Sequence, residues 1–428
     1  MSIATKLTRA VSRLSVAMAL AVSAAAHADY LPDPAAAEAA LLASPGVAQA
    51  RGELAAQTLR SQGLAHGREE WTVGADAAQR RIDSNATRGQ PEWGLALTRS
   101  VRLPGRAHAD RALGGALAAH AEANLGEAMH DAGLQLLASW FDWLAEAGQA
   151  QLWQAQTELA DAQLATVDAR IRLGEAPRAE RVSADAALAQ VRLQQQQAAT
   201  REQQARARLQ AQFPGVPLAA DETLPTPALP SGTADAYADA VLAHSHELAR
   251  ARREAGVARA EARRYASRRG VDPSVGVFYK NEMGGDEHVL GVSVALTLPG
   301  SARRTDQAAA EQLVATAEDA VARLEARLRV AARADFDAAS AEVANWEQAD
   351  RAAQALAESA QLAARAYSLG EGSLDQVLLS RRLALEGQLT AHRTQVDALA
   401  AQARLRLNAH ELWPLDADID SLHASRQP

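Results

Sequence analysis

The sequence predicts a mainly α-helical protein with a smaller β part, built as two repeats of helix, β-hairpin and long helical hairpin. Two runs without proline, one from Gly105 to Ala176 and one from Gly300 to Trp413, are rich in Ala, Leu, Gln and charged residues. At 1.5 Å rise per residue, a helix over the first run would be roughly 100 Å long. Each run follows a segment in which apolar residues alternate with small or polar ones.

Landmarks that recur at a nearly constant spacing indicate the repeat. Leu103-Pro104-Gly105 recurs as Leu298-Pro299-Gly300, and 298 − 103 = 195. Phe141-Asp142 recurs as Phe336-Asp337 at the same offset, and Leu173-Gly174-Glu175 recurs as Leu369-Gly370-Glu371 at an offset of 196. Agreement of three landmarks over about seventy residues predicts an internal duplication.

The amino-acid composition excludes several classes of protein and of functional site. The 428 residues are 48% hydrophobic but only 4% aromatic, which suits thin helix–helix contacts better than a bulky globular core. The net charge of −8 gives no global basic field for nucleic acid. Because the chain has no cysteine, disulfides, thiolate metal sites, Cys nucleophiles and a lipidated N-terminal Cys are excluded.

The N-terminus has the pattern of a secretory signal peptide. Lys6, Arg9 and Arg13 precede an apolar stretch over residues 14–26, and Ala26-His27-Ala28 supplies a small-x-small cleavage pattern. We therefore predict a signal peptide over residues 1–28, with an amphipathic N-terminal helix as the alternative. No later segment offers about 18 uncharged apolar residues, so we expect no transmembrane helix.

The remaining chain divides into two repeats and two connecting pieces. The first repeat, 29–212, comprises a helix over 34–67 with a break at 44–46, two strands at about 70–103 and a helical hairpin at about 104–212. The second, 235–413, comprises a helix over 235–269, two strands at about 272–298 and a hairpin at about 301–411. We predict a Pro-rich linker over 213–234, a tail over 414–428, and polar loops of unequal length over 81–91 and 280–287.

The strands show a period-2 pattern that predicts two different faces. The apolar residues of the last strand share one face, whereas Gly291, Ser293 and Ala295 share the other. Such strands fit either a two-sheet core or a membrane barrel, in which one face meets lipid. Four strands cannot close a barrel and open edges are not tolerated in lipid, so a membrane role requires several chains. The predicted lipid-facing residues are Leu290, Val292, Val294 and Leu296. Leu95, Leu97, Val101 and Leu103 repeat this face, and Arg99 interrupts it.

No catalytic constellation is evident. The chain has neither a Gly-rich phosphate loop after a strand nor a Gly-x-Ser-x-Gly elbow. His244 and His246 are two residues apart, which points them to different faces of a helix. We expect His108, His120 and His130 to be solvated surface residues. The protein is therefore not predicted to be an enzyme, and no cofactor or metal site is predicted.

The order of elements resembles that of the TolC family of outer-membrane efflux proteins over essentially the whole mature chain. The segment Tyr367-Ser368-Leu369-Gly370-Glu371-Gly372-Ser373-Leu374-Asp375-Gln376-Val377-Leu378 is similar to the family pattern aromatic-x-x-Gly-x-x-Ser/Thr-x-x-Asp-Val-Leu. The two Leu-Pro-Gly junctions, followed by Arg106 or by Arg303-Arg304, resemble the strand-to-helix corner of members that serve heavy-metal efflux.

The resemblance implies an assembly and a set of partners. Three chains would each give four strands to a 12-stranded outer-membrane barrel, with the helices forming a periplasmic tunnel in a Gram-negative cell. Such ducts are passive; an inner-membrane RND pump supplies the energy and a periplasmic membrane-fusion adaptor bridges the two. The resemblance assigns the helical turns to adaptor contact, here Leu173, Gly174, Glu175, Leu369, Gly370 and Glu371.

The pore constriction departs from the family pattern. Some members carry Asp at the positions of Gln376 and Leu379 and Arg at that of Gly372, and this chain does not. Glu371 and Asp375 lie close by in the sequence and are the candidate constriction, as an acidic ring. In the first repeat, Glu180 stands where the second has Gln376.

Three hypotheses for function follow. The leading one is the exit duct of a tripartite efflux system, with metal, drug or protein cargo left open. The first alternative is the outer-membrane duct of a type I protein secretion system, which shares the fold and works with an ABC exporter. The second is a periplasmic coiled-coil scaffold, which leaves the four alternating strands without a role.

Overall fold

The computed structural model describes residues 30–67, 69–82, 88–218 and 224–413. The predicted signal peptide over 1–28 and the predicted tail over 414–428 lie outside the described residues. The element order within them is that of two repeats, each with helices, a β-hairpin and a long helical hairpin, as the sequence predicted.

The first repeat contains α1 (Pro34–Leu42), α2 (Pro45–His66), β1 (Trp71–Ile82), β2 (Arg88–Ser100), α3 (Pro104–Arg172) and α4 (Arg178–Gln212). The second contains α5 (Ala234–His244), α6 (His246–Ser267), β3 (Asp272–Glu282), β4 (Glu287–Thr297), α7 (Ala302–Ser368) and α8 (Leu374–Asn408), with a short 3₁₀ turn, Met283–Gly285, between β3 and β4.

Capping residues set where several helices begin. The Asp33 carboxylate accepts a hydrogen bond from the Ala36 backbone N–H at 2.9 Å, and Pro34 occupies the first helical position of α1. Ser245 caps α6 in the same way through the Leu248 N–H at 3.1 Å. The predicted break at 44–46 separates α1 from α2, and the second repeat has an equivalent break at Ser245.

The two long helices, α3 with 69 residues and α7 with 67, are uninterrupted. One face of α3 carries a stripe of apolar residues in which Leu117 and Leu144 are partly buried and the others are buried: Leu113, Ala121, Leu125, Met129, Leu136 and Trp140. Because these residues recur mainly at steps of four, they fall on one face and leave the charged residues on the other. Helix packing along this stripe therefore explains why so few aromatic residues suffice.

The four strands form one antiparallel sheet in the order β1-β2-β3-β4. The strands reach further into the predicted polar loops than expected, so the loop limits 81–91 and 280–287 were wrong. Gly89, Gln90 and Pro91 pair with β1, and Lys280 and Asn281 pair with β4. Ion pairs between strands stabilise this polar end of the sheet: Arg80 pairs with Glu92 and, at 3.5 Å, with Glu282.

The chain forms two compact units, and each draws on both repeats. The turn unit contains the described residues of 30–44, Gly133–Ala234 and 334–413. The sheet unit contains the described residues of Pro45–Ala132 and Asp235–Arg333. Among the described residues, neither unit contains a helix that is both long enough and apolar enough to cross a membrane.

A partly buried carboxyl group lies in the sheet unit, on the face of α3 that meets α6. Burial raises the pKa of Glu127 to about 7, and the nearby Asp131 carboxylate adds to the shift, while Arg250 opposes it. Its Oε2 atom has no hydrogen-bond partner among the described residues. In the same region His130, predicted to be solvated, is partly buried, with its ring 6.4 Å from that of His246.

Glu127→Gln tests this carboxyl group through the pH dependence of stability. In the unfolded chain the group keeps its ordinary pKa of 4.5, so between about pH 4.5 and pH 7 the unfolded state ionises first and stability is lost as pH rises. The variant should therefore melt at a higher temperature than the parent at pH 8 and at a similar temperature at pH 4.5, measured by circular dichroism. The exposed Glu358→Gln is the matched control, and an equal gain in that variant would contradict the assignment.

Candidate functional site: the helical turns and the exposed sheet face

The two predicted turns end their long helices with the same hydrogen-bond pattern. At the end of α3 the Glu175 N–H donates to the Arg170 carbonyl at 2.9 Å and the Gly174 N–H to the Ile171 carbonyl at 3.0 Å. At the end of α7 Glu371 and Gly370 donate to Ala366 and Tyr367 at 2.9 and 3.1 Å. This is the Schellman motif, in which the residue after the helix takes a left-handed conformation.

The turn residues predicted to contact an adaptor are accessible. Gly174 and Gly370 have φ values of 76° and 81°, which glycine adopts without steric cost. The side chains of Leu173 and Leu369 are 73% and 68% exposed, one on each turn. Both turns therefore present a leucine to solvent at the same position of the motif.

A shared apolar cluster brings the two turns together at one end of the turn unit. Its buried members come from both helical hairpins: Val167, Ala184, Tyr367, Leu374 and Val377. Because the cluster lies directly beneath both turns, the position of one turn depends on the packing of the other. The sequence repeat placed the turns in equivalent positions but did not indicate that they touch a common core.

Tyr367 links the two hairpins through polar contacts as well. Its side chain is 3% exposed, and its hydroxyl donates to the Glu180 carboxylate at 2.6 Å. The Arg170 guanidinium lies 4.4 Å from the Tyr367 ring centroid and donates to the Tyr367 carbonyl at 3.3 Å. Burial and the hydrogen bond to Glu180 raise the pKa of Tyr367. Sequence reasoning missed this contact, although both Tyr367 and Glu180 lie in the segments it singled out.

The two candidate constriction residues lie on the second turn. Glu371 and Asp375 are both exposed, with Glu371 in the turn itself and Asp375 in the first turn of α8. The Ser373 hydroxyl caps α8 by accepting from the Gln376 N–H at 3.3 Å. Asp375 is thus an acidic residue in a first helical turn, where a negative charge interacts favourably with the helix dipole.

One face of the sheet is an exposed apolar surface. Register places the residues of this face in cross-strand rows, such as Val73, Leu97, Val277 and Val292. Leu290 and Val292 are each 81% exposed. We call this surface the apolar band; it comprises Trp71, Val73, Leu95, Leu97, Val275, Val277, Leu290, Val292, Val294 and Leu296. The four residues predicted to face lipid are therefore part of a surface that spans all four strands.

Arg99, which interrupts the apolar pattern in the sequence, lies at the end of the band nearest the helices. It is directly opposite Trp71 in the register, and its guanidinium is 5.3 Å from the Trp71 ring centroid. Its Nε also donates to the Glu69 carbonyl at 3.1 Å. The charge is thus stacked on an aromatic ring and hydrogen-bonded at the edge of the band rather than in its middle.

The opposite face of the sheet is mostly small and polar. One cross-strand row contains Thr72, Thr98, Gly276 and Ser293, and another contains Asp76, Gly94, Lys280 and Val289. Phe278, an apolar exception, lies against Gly291. The two faces therefore differ strongly in polarity, which is the arrangement expected of a sheet with lipid on one side and water on the other.

Arginines after each hairpin hold the helices to the sheet. Arg102 donates to the Leu64 and Ala65 carbonyls at the end of α2, at 2.6 and 2.9 Å, and forms an ion pair with Asp110 at 3.0 Å. Arg303 donates in the same way to the Arg268 carbonyl beyond α6, at 2.7 Å. Both Arg303 and Arg106 form ion pairs with Asp272. Arg102 and Arg303 thus bind carbonyls at helix C-termini, and Arg106 and Arg303 share the Asp272 carboxylate.

Within the described ranges, no group of three or more His, Asp or Glu residues is placed to hold a metal ion. The features that stand out among the described residues are surfaces: two exposed turns, an apolar band and its polar reverse face.

Comparison with known proteins identifies the fold. No protein-family model matches the sequence, and no curated protein matches it. Solved structures do: the CmeC outer membrane channel of Campylobacter jejuni has a TM-score of 0.71 at 13% identity, covering 90% of this chain and 88% of that one. The outer membrane protein VceC of Vibrio cholerae has a TM-score of 0.69 at 16% identity, covering 89% and 99%. The open state of the MtrE outer membrane channel of Neisseria gonorrhoeae has a TM-score of 0.65 at 18% identity, covering 89% and 90%.

The chain therefore has the fold of outer-membrane channel proteins. The TolC-like architecture that the sequence predicted, mainly α with a small antiparallel sheet, is confirmed over about nine-tenths of the chain.

The conformation of the second turn predicts the effect of Gly370→Ala. No atom lies within 4 Å of a Cβ added at Gly370, so the cost comes from the left-handed backbone alone, roughly 1–2 kcal/mol. Hydrogen exchange of the amides around the turn should therefore be about 5–30-fold faster in the variant. Gly52→Ala is the matched control, because Gly52 lies in helix α2 with an ordinary φ and open space around it. Unchanged exchange in Gly370→Ala would show that the turn does not need glycine.

Proposed function

We propose that the protein is a TolC-family exit duct of the outer membrane, acting in a tripartite efflux system. The apolar band is the observation that carries this proposal, because a large exposed apolar surface on a sheet needs a lipid or protein partner. The fold shared with outer-membrane channels supports it. The mature chain would be delivered through a cleaved signal peptide over 1–28.

The proposed assembly is a homotrimer, and the argument comes from the sheet edges. β1 and β4 are the outer strands of the four-stranded sheet. Their unpaired backbone N–H and C=O groups would be unsatisfied in lipid, so the sheet must close on itself. Three copies supply 12 strands, with β4 of one protomer pairing with β1 of the next. Closure would place the apolar band on lipid and the small, polar face around the pore.

In the proposed mechanism the duct is passive. An inner-membrane RND pump supplies energy, and a periplasmic membrane-fusion adaptor meets the helical turns. The exposed Leu173 and Leu369 support this contact, since apolar residues at the tip of a hairpin bury surface on binding. Gly174, Glu175, Gly370 and Glu371 complete the proposed adaptor surface.

Metal cations are the cargo class we propose, and the acidic turn supports it. Under threefold symmetry Glu371 and Asp375 would each occur three times around one axis. Clustered carboxylates at a narrow opening raise the local concentration of cations. Glu371 and Asp375 would therefore form the constriction and select cations as they enter.

Membrane assembly tests the proposal through the apolar band. Val292→Arg should lower the yield of detergent-extracted trimer, because an arginine at mid-membrane on a lipid-facing strand costs about 2–4 kcal/mol. Ser293→Arg, on the adjacent position of the same strand but on the opposite face, is the matched control and should lower the yield less. The oligomer is measured by native electrophoresis of the membrane fraction. A stable soluble monomer of the parent, or equal losses in the two variants, would reject the barrel.

Ion conduction tests the acidic constriction. Trimers carrying Glu371→Gln together with Asp375→Asn should form channels in planar bilayers with weaker cation preference than the parent, because six carboxylates are removed. Reversal potentials in a salt gradient measure the preference. Glu358→Gln with Asp350→Asn, also on the second helical hairpin but away from the turn, is the control. If the preference stays at the parent value, the constriction lies elsewhere.

A further inference from the structure

A cavity of about 380 Å³ lies within the turn unit, between α3, α4 and α8. Its walls combine apolar and hydrogen-bonding side chains, including Trp153, Gln163, Val191, Arg381 and Leu385. The volume is in the range of small-molecule sites, which are concave, largely apolar and furnished with a few polar groups. Two of the polar groups in this cavity, an amide and a guanidinium, have hydrogen-bond donor capacity that the described residues do not fill.

The first donor is the amide of Gln163 on α3. The residue is 7% exposed, and its Nε2 has no hydrogen-bond partner among the described residues. Buried amide groups in proteins are nearly always hydrogen-bonded, so a buried free N–H in a cavity wall points to an acceptor that occupies the cavity.

The second donor is the guanidinium of Arg381 on α8. It reaches across to α3 and donates one N–H to the Leu159 carbonyl at 3.2 Å, one helical turn before Gln163. No carboxylate of the described residues forms an ion pair with it, and burial lowers the pKa of Arg381. A guanidinium has five N–H donors, so most of its capacity remains after a single bond to a carbonyl.

The neighbouring charges on the cavity wall are already paired. Arg382 and Glu386 form an ion pair at 3.7 Å, and both side chains are well exposed. The ion pair of Glu386 is with Arg382, and none of the described residues forms an ion pair with Arg381. The cavity wall therefore carries a guanidinium without a carboxylate partner and a free amide N–H.

We propose that this cavity binds an organic carboxylate, with the carboxylate between Arg381 and Gln163 and an apolar body against Trp153, Val191 and Leu385. Carboxylates match a guanidinium in charge and geometry, and their second oxygen can accept from the amide. The apolar walls favour a ligand with a hydrocarbon or aromatic part over an inorganic anion. The site lies on the body of the helical hairpins, and its binding chemistry does not depend on the proposed duct function.

Calorimetric titration of the full-length protein in detergent tests the site, with 4-phenylbutyrate as the probe and ligand-into-detergent titrations subtracted. We expect saturable binding of 4-phenylbutyrate. The neutral 4-phenylbutanamide, of nearly the same shape, should bind at least tenfold more weakly, and sulfate should also bind at least tenfold more weakly. Equal affinity for the amide would overturn the role of charge, and equal affinity for sulfate would overturn the role of the apolar walls.

Three single substitutions locate the binding. Arg381→Met and Gln163→Met should lower the affinity for 4-phenylbutyrate by at least tenfold and about threefold, whereas Arg382→Met should change it less than twofold. Because Arg381 is partly buried and has no ion-pair partner among the described residues, the melting temperature of Arg381→Met is expected to be at or above that of the parent. If that variant nevertheless fails to fold, Gln163→Met, which keeps the length of the side chain, decides the test.

The proposal is overturned if the parent shows no saturable binding at millimolar 4-phenylbutyrate, or if Arg381→Met and Arg382→Met lose affinity equally. These titrations need neither a membrane nor a pump. Failure here therefore leaves the duct proposal intact, and failure of the bilayer experiments leaves this site intact.

Discussion

Backbone hydrogen bonding at the edges of the four-stranded sheet is the constraint on which the rest of the structure depends. Within the sheet, antiparallel pairing satisfies the backbone N–H and C=O groups that face a neighbouring strand. β1 and β4 are the outer strands, and their outward-facing backbone groups have no partner within the sheet. The face carrying Leu290 and Val292 is apolar and exposed along its whole width. A sheet with both properties leaves backbone groups unpaired at its edges and apolar surface in water, and the proposed edge-to-edge joining of several copies would satisfy both.

The duplication of the chain produces equivalent backbones but unequal side-chain chemistry. Both long helices end in the same hydrogen-bonded turn, yet Tyr367 in the second repeat corresponds to Ile171 in the first. Only Tyr367 can donate to Glu180, and Glu180 itself corresponds to Gln376. The two hairpins are therefore linked by a contact that neither repeat forms within itself. The contact of Tyr367 with Glu180 joins the contacts of Arg170 with Tyr367 and the shared apolar cluster in holding the two turns together.

Charged residues at the junction between the helices and the sheet have roles that the sequence pattern did not predict. Arg102 donates to carbonyls in the last turn of α2 and Arg303 donates to the carbonyl of Arg268 just after α6, where the last C=O groups of a helix lack intrahelical partners. Asp272 lies at the start of β3 and pairs with Arg106 and Arg303 together. A short strand-to-helix corner thus acquires rigidity from charge-assisted hydrogen bonds rather than from a bulky core.

The sequence by itself determined the repeat, the order of elements, the long helices, the strand faces and the glycine turns, because periodicity and turn chemistry are local properties. It did not reveal the contact of Tyr367 with Glu180, the stacking of Arg99 on Trp71, or the cavity that brings Gln163 beside Arg381. Each of these joins residues that are distant along the chain or on different elements. The tertiary structure alone decided them, because such contacts depend on which helix faces and strand positions the packing brings together.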